Sequence, residues 1–306
     1  MGHGFAQIFA LNNVPVRLVD ETDELLKRAR GWIIDNLNYM LELGEIERAW
    51  MESTLGQIQF TTDLKQAAQE VDYALEAVFE NLDLKKRIFQ QLDAYTQPHA
   101  ILASNTSSFD INELSAVTLH PGRVIGTHWF HPPQITPCVE IIPSGSTSQE
   151  TIDCTINFMK RIGKVPTVCK SAPGFVGNRL QFAMVAEALA IVEEGLATPE
   201  EVDQIVKTSF GFRLSAYGPF QVCDQAGLDI YHATYEYLYS KVGREQFKPP
   251  KILDKLIKQR RLGLKAQSGF YEYKEGAVEA MKRERDRKLY ARLRLFREEQ
   301  KAKKVK

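Results

Sequence analysis

The first 170 residues alternate short apolar strands with amphipathic helices, and this alternation restricts the fold more than any other feature of the chain. Helical periodicity predicts helices at 23–43, 84–95 and 149–162. Apolar and β-branched runs predict strands at 14–20, 71–80, 99–104, 123–129, 138–142 and 165–170. Such alternation is typical of a largely parallel sheet covered by helices. The sequence therefore predicts an α/β domain over residues 1–170.

Helical signals dominate the remainder of the chain. Residues 180–194 are almost continuously apolar and precede Gly195, which predicts a buried helix with a glycine C-cap. Thr198-Pro199-Glu200-Glu201 then supplies an N-cap, a proline at the first helical position and a capping-box glutamate. We therefore expect an all-α second domain over residues 171–306.

The balance of charge argues against broad electrostatic partners. Lys plus Arg and Asp plus Glu both number 39, so the net charge is zero, and no global field favours nucleic acid or an anionic membrane. The charged tail from residue 275 carries Leu289, Leu293 and Phe296 on one face. This pattern favours a solvated helix that docks by one narrow stripe over a nucleic-acid contact.

Targeting signals and metal-binding patterns are also missing from the sequence. The four cysteines, at positions 138, 154, 169 and 223, have neither disulfide nor metal-site spacing. There is no signal peptide pattern, and no apolar run approaches the roughly 18 residues of a membrane span. We predict a cytoplasmic protein without a metal centre.

A strand that ends in a carboxylate points to a dinucleotide site. The predicted strand 14–20 ends at Asp20, which follows Gly2 by 18 residues. In Rossmann units, a glycine at a helix start admits the pyrophosphate, and an acid at the end of the second strand binds the ribose hydroxyls. An aspartate without a basic neighbour favours NAD over NADP. The alternative is an aspartate that only caps a helix.

The chain opens Met1-Gly2-His3-Gly4, so it holds only the last glycine of a G-x-G-x-x-G loop. We expect the first strand and the first two glycines to lie upstream of Met1, and we favour a start assigned too late over a natural shortened form. If the chain is complete, its sheet lacks a central strand, and NAD loses the backbone donors that hold its phosphates.

His128 and Glu140 form the most informative pair for chemistry. They lie in adjacent predicted strands, equidistant from Gln134, so a hairpin would place them opposite one another on one face. A hydroxyl oxidised by hydride transfer also loses a proton, and an imidazole steered by a carboxylate is suited to accept it. The alternative is a structural pair on a sheet edge.

Several motifs in order resemble the 3-hydroxyacyl-CoA dehydrogenases, including the lambda-crystallin-type and carnitine-type enzymes, over nearly the whole chain. The motifs are A-S-N-T-S-S at 103–108, G-T-H-W-F-H-P at 126–132 with V-E at 139–140, P-G-F-V-G-N-R at 173–179, G-P-F at 218–220 and S-G-F-Y at 268–271. The resemblance implies an N-terminally truncated Rossmann-like domain, an all-α domain, NAD as cofactor and a homodimer that forms through the helical domain.

The resemblance also implies roles for individual residues. His128 matches the catalytic base and Glu140 its carboxylate partner. Ser107 matches the serine that binds the 3-oxygen of the substrate, and Asn178 an asparagine that helps to hold its carbonyl. The positions that match cofactor contacts are Gly2, Asp20, Glu80, Lys85, Ser107, His131 and Lys265. Lys85 has an ordinary alternative as a solvated helix lysine.

Three departures from the family bear on the substrate. His131 replaces the usual asparagine, which changes a contact on the nicotinamide side. Asn36 and Leu43 stand where CoA-binding members carry serine and lysine. The stretch 211–219 is longer than usual and similar to that of the lambda-crystallin and carnitine branches, so Arg213 is a candidate clamp for a substrate carboxylate.

We therefore predict NAD-dependent oxidation of the 3-hydroxyl of an L-3-hydroxyacyl-CoA, or of a related 3-hydroxy acid, to the 3-oxo product. One alternative is a dehydrogenase of a small CoA-free hydroxy carboxylate. Another is a non-catalytic truncated dimer. The predicted partner is a small-molecule substrate, with neither nucleic acid nor membrane.

Overall fold

The computed structural model describes residues 1–274 and 276–304. Contacts divide the chain into two compact units, Met1–Ala186 and Glu187–Lys306. Every strand of the described chain lies in the first unit, and the second unit is helical apart from isolated bridges. The predicted order of an α/β domain followed by a helical domain is therefore confirmed. The predicted boundary between residues 170 and 171 stays a prediction.

Short strands form the framework of the first unit. Each of the six predicted strands is present, most of them with narrower limits, and the structure adds a short strand that the sequence analysis missed. The strands are β1 (Val16–Val19), β2 (Ile58–Thr61), β3 (Tyr73–Glu76), β4 (Ile101–Ser104), β5 (Val124–Trp129), β6 (Cys138–Pro143) and β7 (Val165–Val168).

The strands form two separate sheets. β1 pairs in parallel with β2, and the larger sheet has the order β3-β4-β5-β6-β7. Within the larger sheet only β5 and β6 are antiparallel. No strand of the described residues joins β1 to β3. The described sheet therefore lacks a central strand, as the sequence analysis expected for the chain as given.

Most of the helices that connect the strands begin at side-chain caps, with α3 as an exception. Thr22 accepts from Leu25 N, and Asn81 accepts from Leu84 N, which satisfies backbone donors in the first turn. The helices are α1 (Gly2–Leu11), α2 (Asp23–Glu42), α3 (Arg48–Gly56), α4 (Leu64–Ala68), α5 (Leu82–Tyr95), α6 (Ile111–Ser115), α7 (Gln149–Arg161), α8 (Gly177–Glu193), α9 (Pro199–Thr208), α10 (Phe210–Leu214), α11 (Pro219–Ala226), α12 (Leu228–Val242), α13 (Lys251–Lys258) and α14 (Ala277–Lys304).

Helix α1 packs on both sheets of the first unit. Phe5 and Phe9 join the buried cluster on the larger sheet, where both rings contact Trp129. Ala6 and Ala10 join the cluster around β1 and β2. Because small and aromatic side chains lie on different faces of the helix, α1 links the two sheets through side chains.

In the helical part of the chain, the predicted helix caps are confirmed, but the predicted burial of the first long helix is not. Gly195 has a positive φ of 69°, as a glycine C-cap requires, and Thr198 forms the predicted capping box with Glu201. The prediction of a buried helix over 180–194 was wrong, since α8 contains no buried residue. Leu180, Phe182 and Leu189 are more than half exposed, whereas Ile191 and Val192 are half-buried.

The tail forms the predicted helix, α14. Phe296 lies edge-on to Phe212, with ring centroids 6.3 Å apart, and Leu289 and Leu293 are half-buried. Glu275, where the predicted tail begins, lies outside the described residues. No helix in the described part of the chain combines the length and apolarity that a membrane crossing needs.

Candidate active site

The β5–β6 hairpin brings His128 and Glu140 together. The antiparallel register pairs the two residues directly, as the equal spacing from Gln134 predicted. His128 Nδ1 lies 2.7 Å from Glu140 Oε2. The two residues are only 5% and 4% exposed. The hairpin therefore provides a buried imidazole held by a carboxylate.

Glu140 is also fixed on its second oxygen. Val176 N and Gly177 N donate to Glu140 Oε1 over 3.1 and 2.8 Å. Burial alone would raise the pKa of Glu140, but the hydrogen bonds from His128 and from these two amides outweigh it and lower the pKa. Glu140 is thus an ionised acceptor, and it favours the His128 tautomer that carries its proton on Nδ1.

The opposite nitrogen of His128 is left for chemistry. Nε2 has no hydrogen-bond partner within residues 1–274 and 276–304. The imidazole ring lies 4.9 Å from the ring of Phe130 and 5.5 Å from that of Phe175. Gly177 packs so closely on Phe130 that a Cβ there would lie 2.4 Å from the ring. Because Nε2 has no partner in the described chain, it can accept a proton from a bound hydroxyl.

Ser107 and Asn178 line one pocket. Asn178 Nδ2 donates to the backbone oxygen of Ser107 over 3.3 Å. The pocket has a volume of about 390 Å³ and is lined by Ser107, Ser108, Gly174, Asn178, Arg179 and Phe182. His128 is not among these lining residues. The structure thus joins the two predicted substrate residues, while His128 lies in the adjoining hairpin.

Lys85 and Glu80 form a second polar cluster. Lys85 is 1% exposed and lies 2.8 Å from Glu76 and 3.2 Å from Glu80, so the alternative of a solvated lysine was wrong. Burial would raise the pKa of Glu80, but hydrogen bonds from Thr106 and Ser108 and the charge of Lys85 lower it to about 2. Glu80 is therefore a fixed anion beside residues 105–110, the segment between β4 and α6 that we call the Ser107 turn.

The start of α1 lies beside the loop that follows β5. A Cβ on Gly4 would lie 2.6 Å from Pro133 Cγ, so only glycine fits there without a shift. Burial, the terminal ammonium and His131 together lower the pKa of His3, which places exposed His131 near the same end of the helix. Gly2 is the first residue of α1. The predicted residues Gly2 and His131 thus share one end of the sheet.

The residues present fit a dinucleotide. Asp20 follows β1 directly and is exposed, and its Oδ1 accepts only from Glu21 N among the described groups, so its second oxygen is open to a ribose hydroxyl. Met1 makes no side-chain cap, so no side chain satisfies the first amides of α1, and the start of a helix in this state can bind an anion. Asp20, Glu80 and Ser107 follow the carboxyl ends of β1, β3 and β4, where ligands of open α/β sheets bind.

Two predicted residues belong to the second unit. Lys265 pairs with Asp229 at 2.5 Å. Arg213 is exposed at the end of α10. Their predicted roles toward cofactor and substrate stay predictions.

Several residues build the site in roles that were not predicted from the sequence. Glu76, Ser104 and Thr106 supply the contacts around Glu80 and Lys85, and Gly4 and Gly177 allow close packing. Two features of the sequence could have indicated these roles. Glu76 is a lone carboxylate in an apolar strand, and Gly4 and Gly177 stand in the same motifs as Gly2 and Gly174.

Comparisons with known proteins find relatives over most of the chain. The model of the 3-hydroxyacyl-CoA dehydrogenase NAD binding domain matches residues 1–172, and that of the 3-hydroxyacyl-CoA dehydrogenase C-terminal domain matches residues 174–273. A probable 3-hydroxybutyryl-CoA dehydrogenase from Deinococcus radiodurans is 37% identical over 273 residues, which are 89% of this chain and 96% of that protein.

Two further relatives extend the comparison. The crystal structure of a 3-hydroxyacyl-CoA dehydrogenase from Archaeoglobus fulgidus superposes with a TM-score of 0.77 at 33% identity, over 95% of this chain and 94% of that one. A 5-formyl-3-hydroxy-2-methylpyridine 4-carboxylate 5-dehydrogenase from Mesorhizobium japonicum is 32% identical over 95% of this chain and 93% of that protein.

The matched models cover both units, and the resemblance predicted from the motifs is confirmed. NAD is the cofactor that the N-terminal family model specifies. The chain is an oxidoreductase, so the alternative of a non-catalytic protein is set aside. The chain belongs to the 3-hydroxyacyl-CoA dehydrogenase family.

Proposed function

We propose that this enzyme oxidises the 3-hydroxyl of L-3-hydroxyacyl-CoA thioesters to the 3-oxo products. The observation that carries the proposal is the buried His128–Glu140 pair, whose Nε2 is left as an acceptor. A secondary alcohol that becomes a ketone loses a hydride from C3 and a proton from its hydroxyl. NAD, when bound, supplies the hydride acceptor.

His128 takes the hydroxyl proton on Nε2. Glu140 stabilises the imidazolium that forms, because its carboxylate lies 2.7 Å from Nδ1 and keeps the ring in one orientation. The two backbone amides on Glu140 Oε1 prevent the carboxylate from turning away. In the reverse direction, the same Nε2 returns the proton to the 3-oxo oxygen.

Ser107 and Asn178 bind the substrate oxygens in this proposal. Both line the same pocket, and the Asn178 amide already contacts the Ser107 backbone. The hydroxyl of Ser107 donates to the 3-oxygen, which lowers the energy of the developing charge. Asp20 and Glu80 hold cofactor hydroxyls, and the amides at the start of α1 face a phosphate.

A CoA-free hydroxy carboxylate is the second candidate substrate. The Mesorhizobium relative is named for a ring carboxylate. In this chain Leu43 offers no charge where CoA-binding members carry lysine, and Asn36 Nδ2 is engaged by Gln7 at 3.1 Å. The exposed Arg213 would then bind the free carboxylate.

A substrate comparison separates the two candidates. Reduction of NAD is followed with L-3-hydroxybutyryl-CoA, with its D-enantiomer and with free L-3-hydroxybutyrate. We expect kcat/KM for the L-thioester to exceed that for the free acid by about 100-fold or more, since a pocket recognises polar groups by such ratios. The opposite ranking, with a loss of free-acid turnover in Arg213→Gln, would establish the carboxylate instead.

We also propose a homodimer. Leu180, Phe182 and Leu189 on α8 are each more than half exposed, and a helix with such a face is stabilised by a partner surface. Light scattering during gel filtration tests this proposal. A monomeric mass at micromolar concentration would refute it.

A further inference from the structure

Five residues form a closed ring of polar contacts beside Ser107, to which Thr106 contributes both its backbone amide and its side chain. Thr106 N donates to Ser104 Oγ over 3.1 Å, and Ser104 Oγ donates to Glu76 over 2.6 Å. Lys85 joins Glu76 to Glu80, and Thr106 Oγ1 closes the ring with a 2.6 Å bond to Glu80. The members of the ring are Glu76, Glu80, Lys85, Ser104 and Thr106.

Glu76 is the most constrained member of the ring. The parallel register pairs it with Ser104 across β3 and β4, and its side chain is fully buried. Oε1 accepts from Lys85 Nζ and from Val78 N, each over 2.8 Å, while Oε2 accepts from Ser104. A buried carboxylate with three donors has a single orientation. Glu76 therefore connects two strand ends with the start of α5.

The two oxygens of Glu80 have different surroundings. Oε1 accepts from Thr106 Oγ1, Ser108 Oγ and the amides of Ser107 and Ser108, at 2.6, 2.7, 3.0 and 3.1 Å. Oε2 has Lys85 as its partner at 3.2 Å, and the side chain is 36% exposed. A carboxylate oxygen accepts more than one donor, so Oε2 is the side of Glu80 that is open to a ligand.

Charge explains why two carboxylates flank one lysine. A buried ammonium requires a partner, because an unpaired charge in the interior is strongly destabilising. Glu76 meets this requirement with the shorter contact, 2.8 Å against 3.2 Å for Glu80. Without Glu76, Lys85 would pair with Glu80 alone and would occupy Oε2.

We propose that Glu76 is a positioning residue for cofactor binding: it holds Lys85 and Ser104, and through them it keeps Glu80 Oε2 and the Ser107 turn in the binding orientation. The proposal rests on the proposed function, because it takes Glu80 as a cofactor ligand. Glu76 itself is buried and reaches the ligand only through its neighbours.

A double-mutant cycle tests the proposal through NAD affinity. We expect Glu76→Gln to raise the Kd for NAD about tenfold, which corresponds to about 1.4 kcal/mol, and to lower kcat by a smaller factor, because the Ser107 hydroxyl moves with the turn. In a Lys85→Gln background only the contact with Ser104 is left to lose, so Glu76→Gln should raise the Kd by about threefold or less, since coupled residues are not additive. Effects that multiply in the double variant would overturn the proposal.

A neighbouring lysine–glutamate pair provides a matched control. Lys86, also on α5, pairs with Glu113, which is half exposed, and exposed pairs contribute little. Glu113→Gln should leave the Kd for NAD unchanged. An equal rise in Kd in this variant would show that general loss of charge, rather than the ring, affects binding, and would refute the role of Glu76.

A second measurement needs no cofactor and separates the possible failures. Hydrogen exchange at the amides of Thr106, Ser107 and Ser108 should accelerate in Glu76→Gln and in Ser104→Ala, with exchange in the preceding strand β4 unchanged. If these three amides exchange as slowly in both variants as in the wild type, the proposed role of the ring is wrong. Failure of the wild-type chain to bind NAD, with accelerated exchange in the variants, would count against the proposed function and not against the ring.

Discussion

Two histidine–carboxylate pairs in this molecule share one contact distance and differ in almost everything else. His128 lies 2.7 Å from Glu140 on the β5–β6 hairpin, and His232 lies 2.7 Å from Asp254 between α12 and α13. The first pair has side chains that are 6% and 5% exposed, whereas those of the second are 25% and 38% exposed. The distance alone therefore does not identify a proton-transfer site.

The carboxylates also differ in their other partners. Glu140 accepts from two backbone amides, while Asp254 has none of these among the described bonds and shares His232 with Glu236 at 3.5 Å. Each ring nitrogen of His232 therefore faces a carboxylate, Nδ1 that of Glu236 and Nε2 that of Asp254, so neither nitrogen is left for a substrate. Burial and backbone donors together make a fixed orienting group of Glu140.

The largest expected effect comes from His128→Gln. Without the imidazole no side chain accepts the hydroxyl proton, and general-base catalysis contributes about 10²–10⁴-fold. We expect kcat to fall by about 10³-fold or more, with the Kd for NAD within about twofold of wild type. Steady-state kinetics and calorimetry measure the two quantities. Near-normal turnover would remove His128 from the proposed mechanism.

Glu140→Gln should have the next largest effect. The amide can still accept from Val176 and Gly177, but it no longer stabilises an imidazolium and can favour the wrong tautomer, a change that costs up to about 10⁴-fold in a related arrangement. We expect kcat to fall by about 10²-fold or more. A loss below about threefold would place Glu140 in the same class as Asp254.

The His128–Glu140 pair was predictable because its geometry is local. A hairpin fixes its register from the spacing to the turn, and the thirteen residues from His128 to Glu140 contain all the information needed. Thr198 and Glu201 were predictable for the same reason, since a capping box spans four residues. Local signals therefore predicted both the contact between His128 and Glu140 and the boundaries of several elements.

Contacts between distant segments were not predictable. β2 is four residues long and pairs with β1 across a helical connection, so its sequence carries little periodicity of its own. The link from Glu80 to Thr106 joins residues that are 26 positions apart and depends on parallel pairing of β3 with β4. Lys85 is buried because it contacts Glu76 on β3. The sequence pattern of helix α5 alone does not indicate this contact.

Acid conditions should narrow the difference between wild type and Glu140→Gln. The pKa of Glu140 is lowered in the folded state, so the charged carboxylate stabilises the fold fully above its ordinary pKa of 4.5, and this contribution is lost as the pH falls through the lowered value. At neutral pH we expect the free energy of unfolding to be about 1–2 kcal/mol lower in the variant.

Urea unfolding at about pH 7 and about pH 3 gives this comparison. The gap between the two proteins should shrink at the lower pH, because protonated Glu140 resembles glutamine in charge. A gap that grows toward acid would mean that Glu140 is protonated in the native state, contrary to the hydrogen bonds it accepts.

The smallest effect is expected for Asp254→Asn. Asp254 and Glu236 are both exposed to solvent, and exposed pairs typically contribute about 0–1 kcal/mol. We expect a change in unfolding free energy below about 0.5 kcal/mol and unchanged kcat. Because the two pairs have the same contact distance, a difference between their variants must come from burial and from the backbone donors to Glu140. A loss of activity comparable to that of Glu140→Gln would show that contact distance alone sets the importance of such a pair in this protein.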